Sequence, residues 1–141
     1  MRAMTSGLRA RLAARGCLLN GYSMLPCPVA AELYARQGFD LVTIDLQHGL
    51  VDYSSALPVI QALTACDVVP MARVPWLEPG IIMKLLDAGV LGITCPMINT
   101  AEDAERLVRY ASYPPRGERS LGPIRAAAVY GSGYAAAANA T

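Results

Sequence analysis

Histidine and lysine each occur once in these 141 residues, at His48 and Lys84. Any reaction that needs an imidazole must therefore use His48, and any Schiff base must form on Lys84. No Gly-x-Ser-x-Gly elbow is present, which removes the serine-hydrolase reading. Neither a Walker-type phosphate loop nor Gly-x-Gly-x-x-Gly occurs, so the common nucleotide-binding loops are excluded too. Cys17, Cys27, Cys66 and Cys95 form no Cys-x-x-Cys pair and have no His cluster to complete a zinc site. They read as reduced, buried small hydrophobes of a cytoplasmic protein. Every apolar stretch is broken by Pro, Gly or a charge before the roughly 20 residues a bilayer requires.

Charge is scarce as well. Asp, Glu, Lys and Arg make up 16% of the chain, against roughly 25% in an average soluble domain. Twelve basic residues oppose eleven acidic ones, for a net charge of +1, so neither nucleic acid nor an anionic membrane is expected as a partner. Hydrophobic residues reach 54%, enough to exclude disorder. That surplus of apolar residues needs a structural reason.

The apolar runs alternate with helical patterns. Cys17 to Tyr22, Leu41 to Asp45, Val68 to Arg73 and Leu91 to Cys95 read as buried parallel strands. Between them, Val29 to Gln37 is followed by Gly38, and Tyr53 to Ala65 carries apolar residues at helical spacing. Pro79 to Ala88 turns Ile81, Ile82, Leu85 and Leu86 inward and stops at Gly89; Thr100 to Ala111 opens with Thr100 and Asp103, close to a capping box. Strands starting about every 22 to 28 residues suit βαβ units. Residues 1–16 are rich in Arg and free of acids, a pattern also found in transit peptides; Leu8, Leu12 and Ala13 on one face, with Gly16 as a stop, favour a short N-terminal helix. Residues 112–141 read as an irregular loop and tail, with the stretch from Ala126 either a weak helix or an irregular segment that some other surface must cover. The expected architecture is α/β, a single partial domain holding about the first four βα units of a (β/α)8 TIM barrel. A half-barrel with open edges and an uncovered inner face would account for the apolar surplus.

In a parallel β/α fold, ligands bind beyond the carboxyl ends of the strands. Asp45, Gln47, His48 and Arg73 fall there, on adjacent strands. A carboxylate, an imidazole and a guanidinium suit an anionic small molecule and proton transfer. A structural Asp45–Arg73 ion pair with His48 capping a loop fits the same positions. Lys84 lies on the outer side of its helix, which disfavours Schiff-base chemistry.

Gly38-Phe39-Asp40-Leu41-Val42-Thr43-Ile44-Asp45-Leu46-Gln47-His48-Gly49 resembles the second-strand signature of the HpcH/HpaI family of class II pyruvate aldolases. Pro70-Met71-Ala72-Arg73-Val74-Pro75, Lys84-Leu85-Leu86-Asp87-Ala88-Gly89, Pro96-Met97 and Tyr113-Pro114-Pro115-Arg116-Gly117 resemble the family's later motifs in order. The resemblance implies a divalent-metal enzyme (Mg, Mn or Co) that cleaves 4-hydroxy-2-oxo acids to pyruvate and an aldehyde, as a homo-oligomer. By the same resemblance His48 is the base, Arg73 steadies the pyruvyl oxyanion, and Asp45 and Gln47 belong to the substrate and metal-water network. Asp87 would raise the basicity of a histidine, and its place near the far end of its helix implies a pairing across a subunit interface. The family's metal ligands are expected beyond Thr141, so the chain by itself holds no metal and is expected to be inactive. A non-catalytic β/α unit held by assembly or by a partner is the alternative. An acyl-CoA lyase would need a basic cleft, and Arg116, Arg119 and Arg125 read instead as a solvated loop or subunit contact.

Overall fold

The computed structural model describes residues 8–139. Four parallel strands form one sheet in the order β1 (Asn20–Ser23), β2 (Leu41–Asp45), β3 (Val69–Arg73), β4 (Gly92–Thr94). Helices α2 (Pro28–Ala35), α3 (Tyr53–Ala65) and α4 (Pro79–Ala88) connect them, α1 (Leu8–Arg15) precedes them, and α5 (Ala101–Ala111) follows β4. Strand order equal to chain order, with a helix in each crossover, is the repeating βα unit expected from the spacing.

The two faces of the sheet are sorted by the period-two alternation of side chains. Val42, Ile44, Ala72 and Val74 point to the helices and join Val59, Ile60, Leu63, Ile82 and Leu85 in the main core. Leu41, Val69 and Met71 point the other way, into an inner layer closed by Leu8, Leu18 and Leu91. Thr43, Asp45 and Arg73 share that inner side by the same alternation. The inner face is thus apolar where the strands begin and polar where they end.

Helix boundaries follow local chemistry. Asp52 and Ser55 form a capping box at the start of α3, and Thr100 and Asp103 form another on α5. Gly89 ends α4 in the left-handed region at φ 107°, where a side chain would be strained. Helix α2 ends at Ala35, two residues earlier than its pattern implies.

Several expectations need correction. β1 begins at Asn20 and not at Cys17, because the main chain of Leu19 is taken up by Asp40: its N–H donates to Asp40 Oδ2 at 2.9 Å and its carbonyl accepts from Asp40 and Leu41 N–H. Of the helix expected over 1–16, residues 1–7 lie outside the described residues. Within α1, Leu8 is packed inward while Leu12 and Ala13 are exposed, so the expected three-residue apolar face is not formed. Of the two readings of the tail the helical one holds, as α6 (Ile124–Tyr130) and α7 (Tyr134–Ala137). Docking supplies what weak local preference did not. The Arg125 guanidinium donates to the Ala88 carbonyl and to Thr64 Oγ1, and Tyr130 Oη donates to the Gly89 carbonyl at 2.6 Å. These side chains satisfy carbonyls that the end of α4 leaves open. Cys17 and Cys27 are exposed and only Cys66 is buried, so the cysteines are not uniformly core residues. Among the described residues, no helix is long and apolar enough to cross a membrane.

Candidate active site

Parallel pairing of β2 with β3 sets Asp45 directly opposite Arg73 at the carboxyl ends of both strands. Arg73 Nε donates to Asp45 Oδ1 at 2.9 Å and Nη2 donates to Oδ2 at 2.6 Å, a two-point fork on one carboxylate. Asp45 is 0% exposed, and the loop after β2 folds back over it. The backbone N–H groups of Gln47 and His48 both donate to Asp45 Oδ1, at 3.0 and 3.2 Å. One oxygen atom therefore ties the guanidinium of β3 to the main chain that carries His48.

The bond from the Arg73 guanidinium, with help from the two loop amides, holds the Asp45 carboxyl down at about 2, and it does so against the effect of burial. Arg73 is pushed the other way by the same bond. Gly49 closes the loop in space no side chain can occupy: a Cβ there would lie 2.2 Å from the Asp45 carbonyl oxygen. The neighbouring loop is pinned to it by the Leu50 N–H, which donates to the Met24 carbonyl at 2.8 Å.

His48 itself is exposed at this mouth, and Gln47 is half-buried beside it. Asp45, Gln47, His48 and Arg73 are thus brought together as their positions implied. The Asp45–Arg73 ion pair is formed, and it leaves guanidinium donors over. A guanidinium has five N–H groups, and the fork on Asp45 uses two.

Asp87 is elsewhere. Near the last turn of α4, its Oδ1 accepts from Arg119 Nη2 at 2.6 Å within the same chain. Arg119 is no solvated loop residue. It is 3% exposed, stacked 4.4 Å from the Tyr113 ring centre, and its Nη2 lies 3.3 Å from Tyr134 Oη. Arg125 is likewise half-buried against α3 and α4, and only Arg116 of the three is exposed. The sequence hid this because a Pro- and Gly-rich loop normally stays in solvent, whereas here it folds onto α4. Lys84 is exposed, as expected, with its Nζ 5.1 Å from the Tyr53 ring.

Tyr22 was not among the expected site residues. Its ring lies 5.2 Å from the Arg73 guanidinium carbon. The available signal was its inward phase, two residues after Asn20, whose Oδ1 accepts from Thr43 Oγ1 on the inner face.

A divalent cation does not fit the residues at hand. Among the described residues no group of three or more His, Cys, Asp or Glu could hold a metal ion. Both Asp45 oxygens are already engaged by Arg73, Gln47 and His48.

Four successive parallel βα units with polar groups gathered at the strand carboxyl ends form about half of a (β/α)8 barrel of the TIM type. Residues 22–140 match the HpcH/HpaI aldolase/citrate lyase family, and the chain belongs to that family. It is 43% identical over 123 residues to a hydroxypyruvate/pyruvate aldolase of Rhizorhabdus wittichii, covering 87% of this chain and 49% of that protein. It is 35% identical over 124 residues to a 5-keto-4-deoxy-D-glucarate aldolase of Escherichia coli, covering 88% of this chain and 48% of that one. Among solved structures, a family member from Burkholderia cenocepacia superposes with a TM-score of 0.80 at 33% identity, over 87% of this chain and 51% of the other. The chain spans about half the length of the relatives it matches.

Proposed function

We propose that this chain carries the pyruvate-binding half of a carbon–carbon lyase, an aldolase that cleaves 4-hydroxy-2-oxo acids to pyruvate and an aldehyde and joins them in reverse. The observation that carries the reading is Asp45 Oδ1, which accepts from Arg73 and from the His48 main chain at once. A cationic donor set and a potential base are thereby referenced to one buried atom. The aldolase names of the two relatives support the same chemistry.

In cleavage, His48 accepts the proton of the C4 hydroxyl. The C3–C4 bond breaks, the aldehyde leaves, and the electron pair passes into the enolate of pyruvate. The donors of Arg73 not used by Asp45 face the developing charge on the C2 oxygen, and such a donor contributes about 3 kcal/mol. Return of the proton to C3 completes pyruvate. Asp45 acts through Arg73, and Gln47 borders the substrate on the same loop. A role for Asp87 beside a histidine would be played across a subunit contact, because Asp87 sits near the far end of α4; within the chain its Oδ1 is bonded to Arg119. Whatever divalent metal the activity uses is held by side chains outside those described, and no step assigned here runs through it.

The test is complementation. The 141-residue chain is co-expressed with a polypeptide carrying the second half of the Rhizorhabdus wittichii relative, and pyruvate release is followed with Mg or Mn present. Turnover is expected from the assembled pair, not from the chain alone, and is expected to fall at least about 100-fold in His48→Ala and Arg73→Ala. A co-purifying, folded pair that is silent would refute the reading and favour a non-catalytic structural unit.

A further inference from the structure

Arg73 is gripped from two directions, and only one of them is the carboxylate of Asp45. The fork of Nε and Nη2 on Asp45 fixes one edge of the guanidinium. A planar group held by a single edge can still rock out of its plane about that edge. The Arg73 guanidinium carbon sits over the ring of Tyr22, 5.2 Å from the ring centre, and a ring at that distance restricts the motion. We infer that Tyr22 is a positioning residue for anion binding, holding the Arg73 guanidinium so that its free Nη1–Nη2 edge keeps one direction. The inference rests on the reading of Arg73 as the anion-binding group.

The fold arranges this contact deliberately across two strands. Tyr22 pairs in register with Thr43, so β2 lies between Tyr22 and the strand that carries Arg73. Its inward phase is enforced by its neighbour. Gly21 faces outward against the Tyr34 ring of α2, where an added Cβ would come within 2.6 Å of the ring. A side chain there would have to displace that ring, which opposes a one-residue slip of β1 that would turn Tyr22 away. The small hydroxyl of Thr43 is occupied with Asn20 lower on the same face. Tyr22 remains 41% exposed, so it contributes little to the core that could by itself explain its place.

The alternative is that the ring merely covers the inner face, and the two roles predict different measurements. The Arg73 Nε–H resonance of 15N-labelled chain, assigned by its loss in Arg73→Lys, reports guanidinium order directly. Tyr22→Leu is expected to lower the order parameter of that group while leaving the backbone amides of β2 and β3 unchanged; Tyr22→Phe is expected to keep it. Titration with sodium pyruvate supplies the second readout: Tyr22→Leu is expected to weaken binding by about 3- to 30-fold, and Tyr22→Phe to match the parent. Unchanged Nε–H order in Tyr22→Leu, or parent-like pyruvate affinity in that variant, overturns the positioning role alone. Parent-like affinity in Arg73→Lys or no pyruvate binding by the parent chain overturns the reading of Arg73, and the positioning role falls with it.

Discussion

Asp45→Asn removes a charge from the one atom on which the mouth is organised, and its consequence can be worked out beforehand. Arg73 and the loop amides hold the carboxyl at about 2, against an ordinary value of 3.8. At about 1.36 kcal/mol for each tenfold step in proton affinity, this interaction stabilises the native state by about 2 kcal/mol at neutral pH. Deleting one partner of a buried ion pair costs about 3–5 kcal/mol when the other charge is sealed in. Arg73 keeps 25% of its side-chain exposure and can recover water, so the smaller figure governs. The amide of Asn keeps one acceptor oxygen and turns an N–H group toward the other guanidinium donor, so one arm of the fork on Arg73 is lost. Denaturant unfolding at pH 7 is therefore expected to show a loss of about 2 kcal/mol. The pH dependence carries the sign. Because the folded-state value is depressed, the unfolded chain takes up a proton between about pH 4 and pH 2 that the native carboxylate refuses, and the parent loses stability as pH falls through that window. The Asn variant lacks that slope, so the two stabilities converge toward pH 2. Curves that stay parallel from about pH 5 to pH 2, or a difference below about 0.5 kcal/mol at pH 7, would show that the pair does not hold the mouth together.

Gly49→Ala forces a Cβ to within 2.2 Å of the Asp45 carbonyl, so a loss of about 1–3 kcal/mol in thermal or urea unfolding is expected. Gly122→Ala, which meets nothing within 4 Å, serves as the near-neutral control. Arg119→Ala strips the partner from Asp87 and empties the space between Tyr113 and Tyr134; a loss of about 3 kcal/mol is expected, and Arg119→Lys should recover only part of it, because an ammonium cannot replace the stacked plane. Equal stability of Arg119→Lys and the parent would remove stacking from the account.

The fold was largely legible because its signals are local and repeated. β2 and β3 are largely apolar runs ending in Asp45 and Arg73, α5 opens on the Thr100–Asp103 box, and α4 stops at Gly89. The loop bearing His48 was legible for the same reason, since its place follows from where β2 stops. What escaped were contacts between segments far apart in the chain. Arg119 sits in a Pro- and Gly-punctuated loop and nothing nearby says that it will be buried; Asp87, 32 residues away, provides the reason. The tail is ambiguous in sequence between a weak helix and an irregular segment because Ala-rich chain has little apolar surface of its own, and Tyr130 and Arg125 had to find the end of α4.

Period and spacing alone settled the parallel βα repeat and which end of the sheet would be polar, because alternation along a strand and the length of a crossover are properties of consecutive residues. Tertiary structure alone decided which donor meets which acceptor. Whether Arg73 would clasp Asp45, sit over Tyr22, or point into water depends on the register between three strands, and segments far apart in the chain meet there, as Tyr34 of α2 meets Gly21 of β1, which no short stretch of sequence contains.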